Sequence, residues 1–304
     1  MPSPSITLAW QKRDKGLTAR MIVSFAILTL LYLTFVSILA YAGVGFIPIT
    51  IIASLMIMAQ LYFSDKIVLW SSGAKIVTRD QYPELHDLVE RIVARNNLPK
   101  PKIAVINTSM PNAFAIGRGP RSSVVCVTTG LLSLLEPEEL EGVIAHELTH
   151  IRNRDVLVLT LASLISTVAW YLMQFSFYGG LGYGYRARSR NSGGGTMAII
   201  IVVSLVTWVI SFLIIRAISR YREFAADRGG AQMTGKPATL ASALMKISNN
   251  IKKVPTKDLR QAESLNVFFI IPALSGSSIA NLFSTHPTVE KRIEKLMKME
   301  MSMS

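Results

Sequence analysis

His146-Glu147-Leu148-Thr149-His150 spells H-E-x-x-H, and this pentad decides what kind of fold must surround it. On a helix, residues four apart share a face, so the two imidazoles can grip one Zn²⁺ while Glu147, one step round, reaches water at the metal. Only four histidines occur in 304 residues, which argues against an accidental pentad. Glu136-Pro-Glu-Glu opens the helix: proline suits its first position, and an acidic first turn complements the helix dipole. Leu140, Val143, Ile144, Leu148 and Ile151 supply the apolar stripe that holds it to a core.

Zinc held by two histidines needs at least a third protein ligand and an open position. Glu223, in Tyr221-Arg-Glu-Phe-Ala-Ala-Asp227, is the candidate. Asp227 lies four residues on, on the same helix face, where it can accept the N–H of a ligand histidine and fix its tautomer. Asn153, in the polar end of the H-E-x-x-H helix, and Arg292, on a helix opened by Pro287, are read as further supports around the ligands. Glu147 is the expected general base, passing a proton from water to the leaving amine of a peptide. His286, in Ser284-Thr-His-Pro287, is a candidate second donor for a developing oxyanion.

Half of the chain is hydrophobic and the mean hydropathy is +0.39, so membrane insertion is expected. Four stretches without Lys, Arg, Asp or Glu approach bilayer length: 21–42, 46–63, 156–178 and 197–215. They divide the sequence into a tail (1–20), a membrane hairpin (21–64), a polar segment with H-E-x-x-H (65–155), a second hairpin (156–217) with a Gly-rich loop (179–196), and a final polar segment (218–304). The first polar segment reads as mixed α and β: a helix from Pro83 to Asn97, strands over 102–106 and 123–128, and an extended stretch 111–117 between them. A helical pattern also covers 237–249. The apolar run Val267-Phe-Phe-Ile-Ile271 is too short to span; it either packs under the site, the reading preferred here, or touches the membrane interface.

The formal net charge is +13, but its placement points to a membrane and not to nucleic acid. Lys12, Arg13, Lys15 and Arg20 precede the first apolar stretch, and Lys66, Lys75 and Arg79 follow the second, across an uncharged connector. The positive-inside rule then puts both polar segments, and hence the site, on the cytoplasmic side of the cell membrane, in a multi-pass chain. Arg186, Arg188 and Arg190 in the Gly-rich loop run against that rule, so the second hairpin either crosses regardless or is re-entrant; crossing is the reading adopted. Cys126 is the only cysteine, which excludes an intramolecular disulfide, and its setting between valines suits a strand interior.

His146-Glu-Leu-Thr-His-Ile-Arg-Asn-Arg-Asp155, Arg222-Glu-Phe-Ala-Ala-Asp227, Pro111-Asn-Ala-Phe-Ala-Ile-Gly-Arg118 and Leu282-Phe-Ser-Thr-His-Pro287 with Arg292-Ile293 together resemble the HtpX family of membrane zinc metalloproteases, relatives of the CAAX prenyl proteases. The resemblance runs over nearly the whole chain in order and spacing. It implies a gluzincin-like domain, mostly α with a small β-sheet, carried on four transmembrane helices. One Zn²⁺ would be held by His146, His150 and Glu223, with Glu147 as catalyst. It further implies polypeptide substrates, damaged or misassembled membrane proteins among them, often under heat or envelope stress. Asn112, Ala113, Phe114 and Ala115 would form an edge strand that pairs with extended substrate, and His286 would be an oxyanion or substrate group. Other readings are a site-2-type intramembrane protease, which the flanking Glu138-Glu-Leu-Glu141 and Arg152-Asn-Arg oppose, a CAAX-type processing enzyme, and a catalytically dead membrane chaperone or adaptor. The sequence leaves oligomeric state open.

Overall fold

A computed structural model describes residues 15–41, 46–117, 119–183, 193–251 and 286–303. The basic pair Lys12 and Arg13, the loop arginines 186, 188 and 190, and the apolar run 267–271 lie outside the described residues. In chain order come α1 (Lys15–Tyr41), α2 (Phe46–Ser71), β1 (Lys75–Ile76), α3 (Pro83–Arg95), β2 (Lys102–Ile106), β3 (Ala113–Ile116), β4 (Val124–Thr128), α4 (Thr129–Leu134), α5 (Pro137–Asn153), α6 (Asp155–Tyr183), α7 (Gly193–Thr234), α8 (Pro237–Ile251) and α9 (Val289–Met303). The protein is mostly helical with one small mixed sheet.

Two compact units emerge. One is apolar, drawn from Ala19–Phe63 and Val158–Ile218. Within it α1, α6 and α7 pack through Leu28, Ala162 and Ile218 in one cluster and Phe35, Val168, Ala169 and Ile200 in another. Outward-facing side chains are as apolar as the buried ones: Ile22 is 63% exposed, Leu30 67% and Val202 58%. In water such a surface would aggregate; against lipid it is at its lowest energy. Among the described residues, two helices are long and apolar enough to cross a bilayer, Ala19–Ile38 within α1 and Ala198–Thr234 within α7. The other two expected spans fall in α2 and α6, of 26 and 29 residues.

The second unit, drawn from Ser64–Leu157 and Ser219–Ser304, carries the H-E-x-x-H helix. Its sheet runs β1-β2-β4-β3, with β2 and β4 parallel and both edge strands antiparallel to their neighbours. Alternation decides which face each residue takes. Ile103, Val105, Val125 and Val127 join the main core with Leu88, Val89 and Ile92 of α3, Val143, Ile144 and Leu148 of α5, and Leu240 and Leu244 of α8. Ala104, Ile106, Phe114, Ile116, Val124 and Cys126 pack on the opposite side against Val68 and Leu69 at the end of α2. β4 is buried along its whole length, which explains its unbroken apolar run.

Local chemistry sets the ends of α5. Glu136 and Glu139 form a capping box, with Pro137 at the first turn. Glu139 also accepts hydrogen bonds from Ser242 (2.7 Å) and Lys246 (2.8 Å) of α8, so the helix start is pinned to its neighbour. At the far end Arg154 adopts a left-handed conformation (φ 55°) and turns the chain into α6. The last part of α7 crosses α5 at backbone contact distance. A Cβ on Gly229 would lie 2.4 Å from Thr149 Cγ2, and one on Gly230 2.8 Å from the His146 nitrogen. Only glycine permits this approach, and it brings Glu223 and Asp227 of α7 to the two histidines.

Candidate metal centre and active site

His146 and His150 stand one turn apart on α5 and turn their Nε2 atoms toward each other, 3.1 Å apart. Glu223, arriving on α7 beyond the apolar run that ends at Ile215, completes a triangle: its Oε2 is 3.7 Å from His146 Nε2 and its Oε1 3.6 Å from His150 Nε2. Burial holds both imidazoles down, to about 4, so they are neutral at neutral pH. Burial alone would raise the Glu223 carboxyl, but the neighbouring His286 and Arg292 outweigh it and hold the group well below the usual carboxylate range. The triad therefore offers two imidazole lone pairs and a carboxylate at one buried point.

That arrangement fits a metal cation on both chemistry and size. His146 Nδ1 lies 3.0 Å from Asp227 Oδ1, and His150 Nδ1 lies 2.5 Å from Asp155 Oδ2. His150 Nδ1 is hydrogen-bonded to Asp155, while His146 Nδ1 faces Asp227 within ion-pair distance but without a hydrogen bond. Where each Nδ1 carries the imidazole proton, the Nε2 atoms are acceptors facing an acceptor, an arrangement that repels unless a cation sits among them. A tetrahedral Zn²⁺ with bonds of about 2.05 Å separates its ligand atoms by about 3.3 Å, close to the three observed spacings. His146, His150 and Glu223 are also the group among the described residues whose ligand atoms all lie within 4.8 Å of one another.

The surrounding residues are charged and dry. Arg292, 1% exposed, clamps Asp227 through two hydrogen bonds of 2.8 and 2.6 Å, and its other terminal nitrogen lies 3.4 Å from Glu223 Oε2. A buried bidentate pair of this kind is costly to break, about 3–5 kcal/mol if one partner is removed, because a bare charge remains. By contrast the exposed bridges from Arg79 to Asp87 and Glu90 are worth about 0–1 kcal/mol each. His286 Nδ1 is 3.3 Å from Glu223 Oε2. Glu147 is buried beside the triad; desolvation and then the charge of Glu223 push its carboxyl well up, against a downward pull from Arg292 and from the nearby Ala115 backbone N–H. Ala115 belongs to β3, so the edge strand and Glu147 adjoin.

Sequence reasoning brought most of these groups together, with one exception and one omission. Asn153 is exposed at the last residue of α5, away from the ligands. The carboxylate that meets His150 is Asp155, and Arg222 meets Asp155 in turn, at 2.8 Å. An acid five residues past the second histidine was the available signal. Its direction depends on the left-handed Arg154, which periodicity does not reveal. In the expected edge strand, Phe114 turns to the far face of the sheet, and Asn112 is tied to Thr128 by hydrogen bonds of 2.9, 3.0 and 3.1 Å.

A buried His-His-Glu donor set with an adjacent glutamate on an H-E-x-x-H helix defines a zinc metallopeptidase. Residues 79–300 match Peptidase family M48. Over 295 residues the chain is 52% identical to a protein described as "Protease HtpX homolog 2" from Methanosarcina mazei, covering 97% of this chain and 99% of that one. It is 53% identical over 290 residues to "Protease HtpX homolog" from Moorella thermoacetica, covering 95% and 96%. The crystal structure of S. mikatae Ste24p shares the fold, with a TM-score of 0.56 at 19% identity over 90% of this chain and 64% of that one. The chain belongs to peptidase family M48 and is an HtpX-type zinc metalloprotease.

Glu223→Gln keeps the shape of the side chain but removes the charge. Elemental analysis of the purified variant is expected to show zinc falling from one per chain to a small fraction, with unchanged helicity; full zinc occupancy would exclude Glu223 from the donor set.

Proposed function

We propose that this protein is a membrane-embedded zinc endopeptidase that hydrolyses misfolded or damaged membrane proteins at a site on the cytoplasmic face. The observation that carries the reading is Glu147, which adjoins both the buried His-His-Glu group and strand β3. His146, His150 and Glu223 would hold Zn²⁺. When bound there it polarises the scissile carbonyl and makes water more acidic. The remaining work falls to the chain. Desolvation makes Glu147 a stronger base than a carboxylate in water; it takes a proton from the attacking water and delivers it to the departing amine. His286 and Arg292 lie next to Glu223; His286 would serve as the donor to negative charge growing on the carbonyl oxygen, and Arg292 would orient Glu223 and Asp227.

Substrate would be held by backbone pairing. Among the described residues β3 pairs with β4, and pairing through Phe114 and Cys126 turns the Ala113 and Ala115 peptide groups to the other edge, where the Ala115 N–H faces Glu147. With Phe114 facing away and alanines at the edge, recognition rests on main-chain hydrogen bonds, which read extended conformation and little of the sequence. An unfolded segment meets that requirement and a folded one does not. This selectivity suits removal of damaged protein.

Location near the membrane is supported by α7. One helix carries both the apolar run to Ile215 and, further along the sequence, Glu223. Arg216, Arg220 and Arg222 follow the apolar run, in keeping with a cytoplasmic end. The full four-span topology belongs to this proposal.

Zinc-loaded protein is expected to cleave casein, and Glu147→Ala to reduce the rate by about 10²–10⁴-fold while zinc content stays at one per chain. Turnover by the alanine variant at the wild-type rate would end the assignment of Glu147. For orientation, Arg188→Cys places a reactive thiol in a chain whose own Cys126 is fully buried. In right-side-out cells it should react with an impermeant maleimide from outside; labelling only after the membrane is opened would overturn two-crossing topology.

A further inference from the structure

Each of the two histidines rests its far nitrogen on a carboxylate, and each carboxylate rests on an arginine. His146 leads through Asp227 to Arg292, and His150 leads through Asp155 to Arg222. The first arm follows from the spacing of Glu223 and Asp227; nothing in the helix pattern announces the second. Asp155 is 3% exposed, and a carboxylate at that depth persists only when paired. Its two partners are His150 Nδ1 at 2.5 Å and Arg222 NH2 at 2.8 Å, both on the same oxygen, Oδ2. Arg222, 6% exposed, is itself the residue before Glu223. The helical step of about 100° between neighbours lets one side chain face the donor set while the other passes behind it to Asp155.

We propose that Asp155, held by Arg222, is the positioning residue for His150. It accepts the Nδ1 proton, leaves the Nε2 lone pair directed at the donor set, and fixes the plane of the ring. Arg222 prevents Asp155 from turning to water and limits how far it can move. α7 thereby serves all three donors: Glu223 directly, His146 through Asp227 and His150 through Arg222 and Asp155. The inference rests on the reading that His150 is a zinc ligand. It differs from a purely structural ion pair in that it ties Asp155 to metal affinity and not only to folding.

The test uses the full chain in detergent, stripped of metal and titrated with Zn²⁺ against a chromophoric chelator; Co²⁺ absorption gives an independent view of ligand geometry. Asp155→Asn is expected to weaken zinc binding by about 10- to 100-fold and to shift the Co²⁺ spectrum, while Asp155→Glu recovers part of the affinity. If the single asparagine variant fails to fold, the double variant Asp155→Asn/Arg222→Gln removes both buried charges together and should show the same loss. Zinc affinity within twofold of wild type with an unchanged Co²⁺ spectrum would overturn the proposal, whatever happens to the melting temperature. Stoichiometric zinc in the wild type, lost in Glu223→Gln, keeps the metal-site reading intact in that event, so the two failures are distinguishable.

Discussion

Two imidazole nitrogens and the two oxygens of one carboxylate converge, with spacings of 3.1, 3.6 and 3.7 Å, in the interior of the polar unit, and much else in that unit serves to keep them there. In a dry interior such a group is unfavourable by itself: each atom has lost water, and none can donate to the others while the Nδ1 positions face acids. A divalent cation converts that cost into binding energy. Both histidines are on one rigid helix, so their mutual distance is set by the helical repeat. Glu223 is the variable member, and its position depends on how closely α7 can approach α5.

That approach is a matter of two missing methyl groups. Gly229 and Gly230 let the helices meet at a distance that Thr149 and the His146 backbone would otherwise forbid. The capping box and its ties to Ser242 and Lys246 hold the other end of α5. Between these points the buried acids are balanced one by one. Arg292 meets Asp227 and Glu223, and Arg222 meets Asp155. Removing any one charge would leave its partner bare at several kcal/mol, so the network supports fold and chemistry together. The edge strand β3 adjoins the same arrangement, with the Ala115 N–H facing Glu147.

What the sequence revealed follows from the range of each interaction. Residues four apart on one helix announce themselves, and H-E-x-x-H, the Glu223–Asp227 pair and the stripe through Leu85, Leu88, Val89, Ile92 and Val93 were all legible on that account. The strands read over 102–106 and 123–128, where the structure gives Lys102–Ile106 and Val124–Thr128, were visible as short β-branched runs. Their order was not, because β3 lies between them in sequence yet takes the far edge of the sheet. The two-residue β1 carries too little pattern to detect. α7 read as a span ending at Ile215 with a separate segment after it, whereas one helix continues to Thr234, since charged residues change a helix's solvent and not its backbone. The place of Asp155 beside His150 was not legible, because it depends on the left-handed turn at Arg154, a backbone conformation unusual for arginine.

The central claim is that one zinc ion is bound by two imidazoles and one carboxylate of this chain, and X-ray absorption at the zinc edge examines it without recourse to activity. The wild-type spectrum is expected to fit two imidazole nitrogens with their characteristic multiple scattering, together with oxygen ligands, at about 2.0–2.2 Å. A spectrum that required a single imidazole, or oxygen ligands alone, would contradict the account.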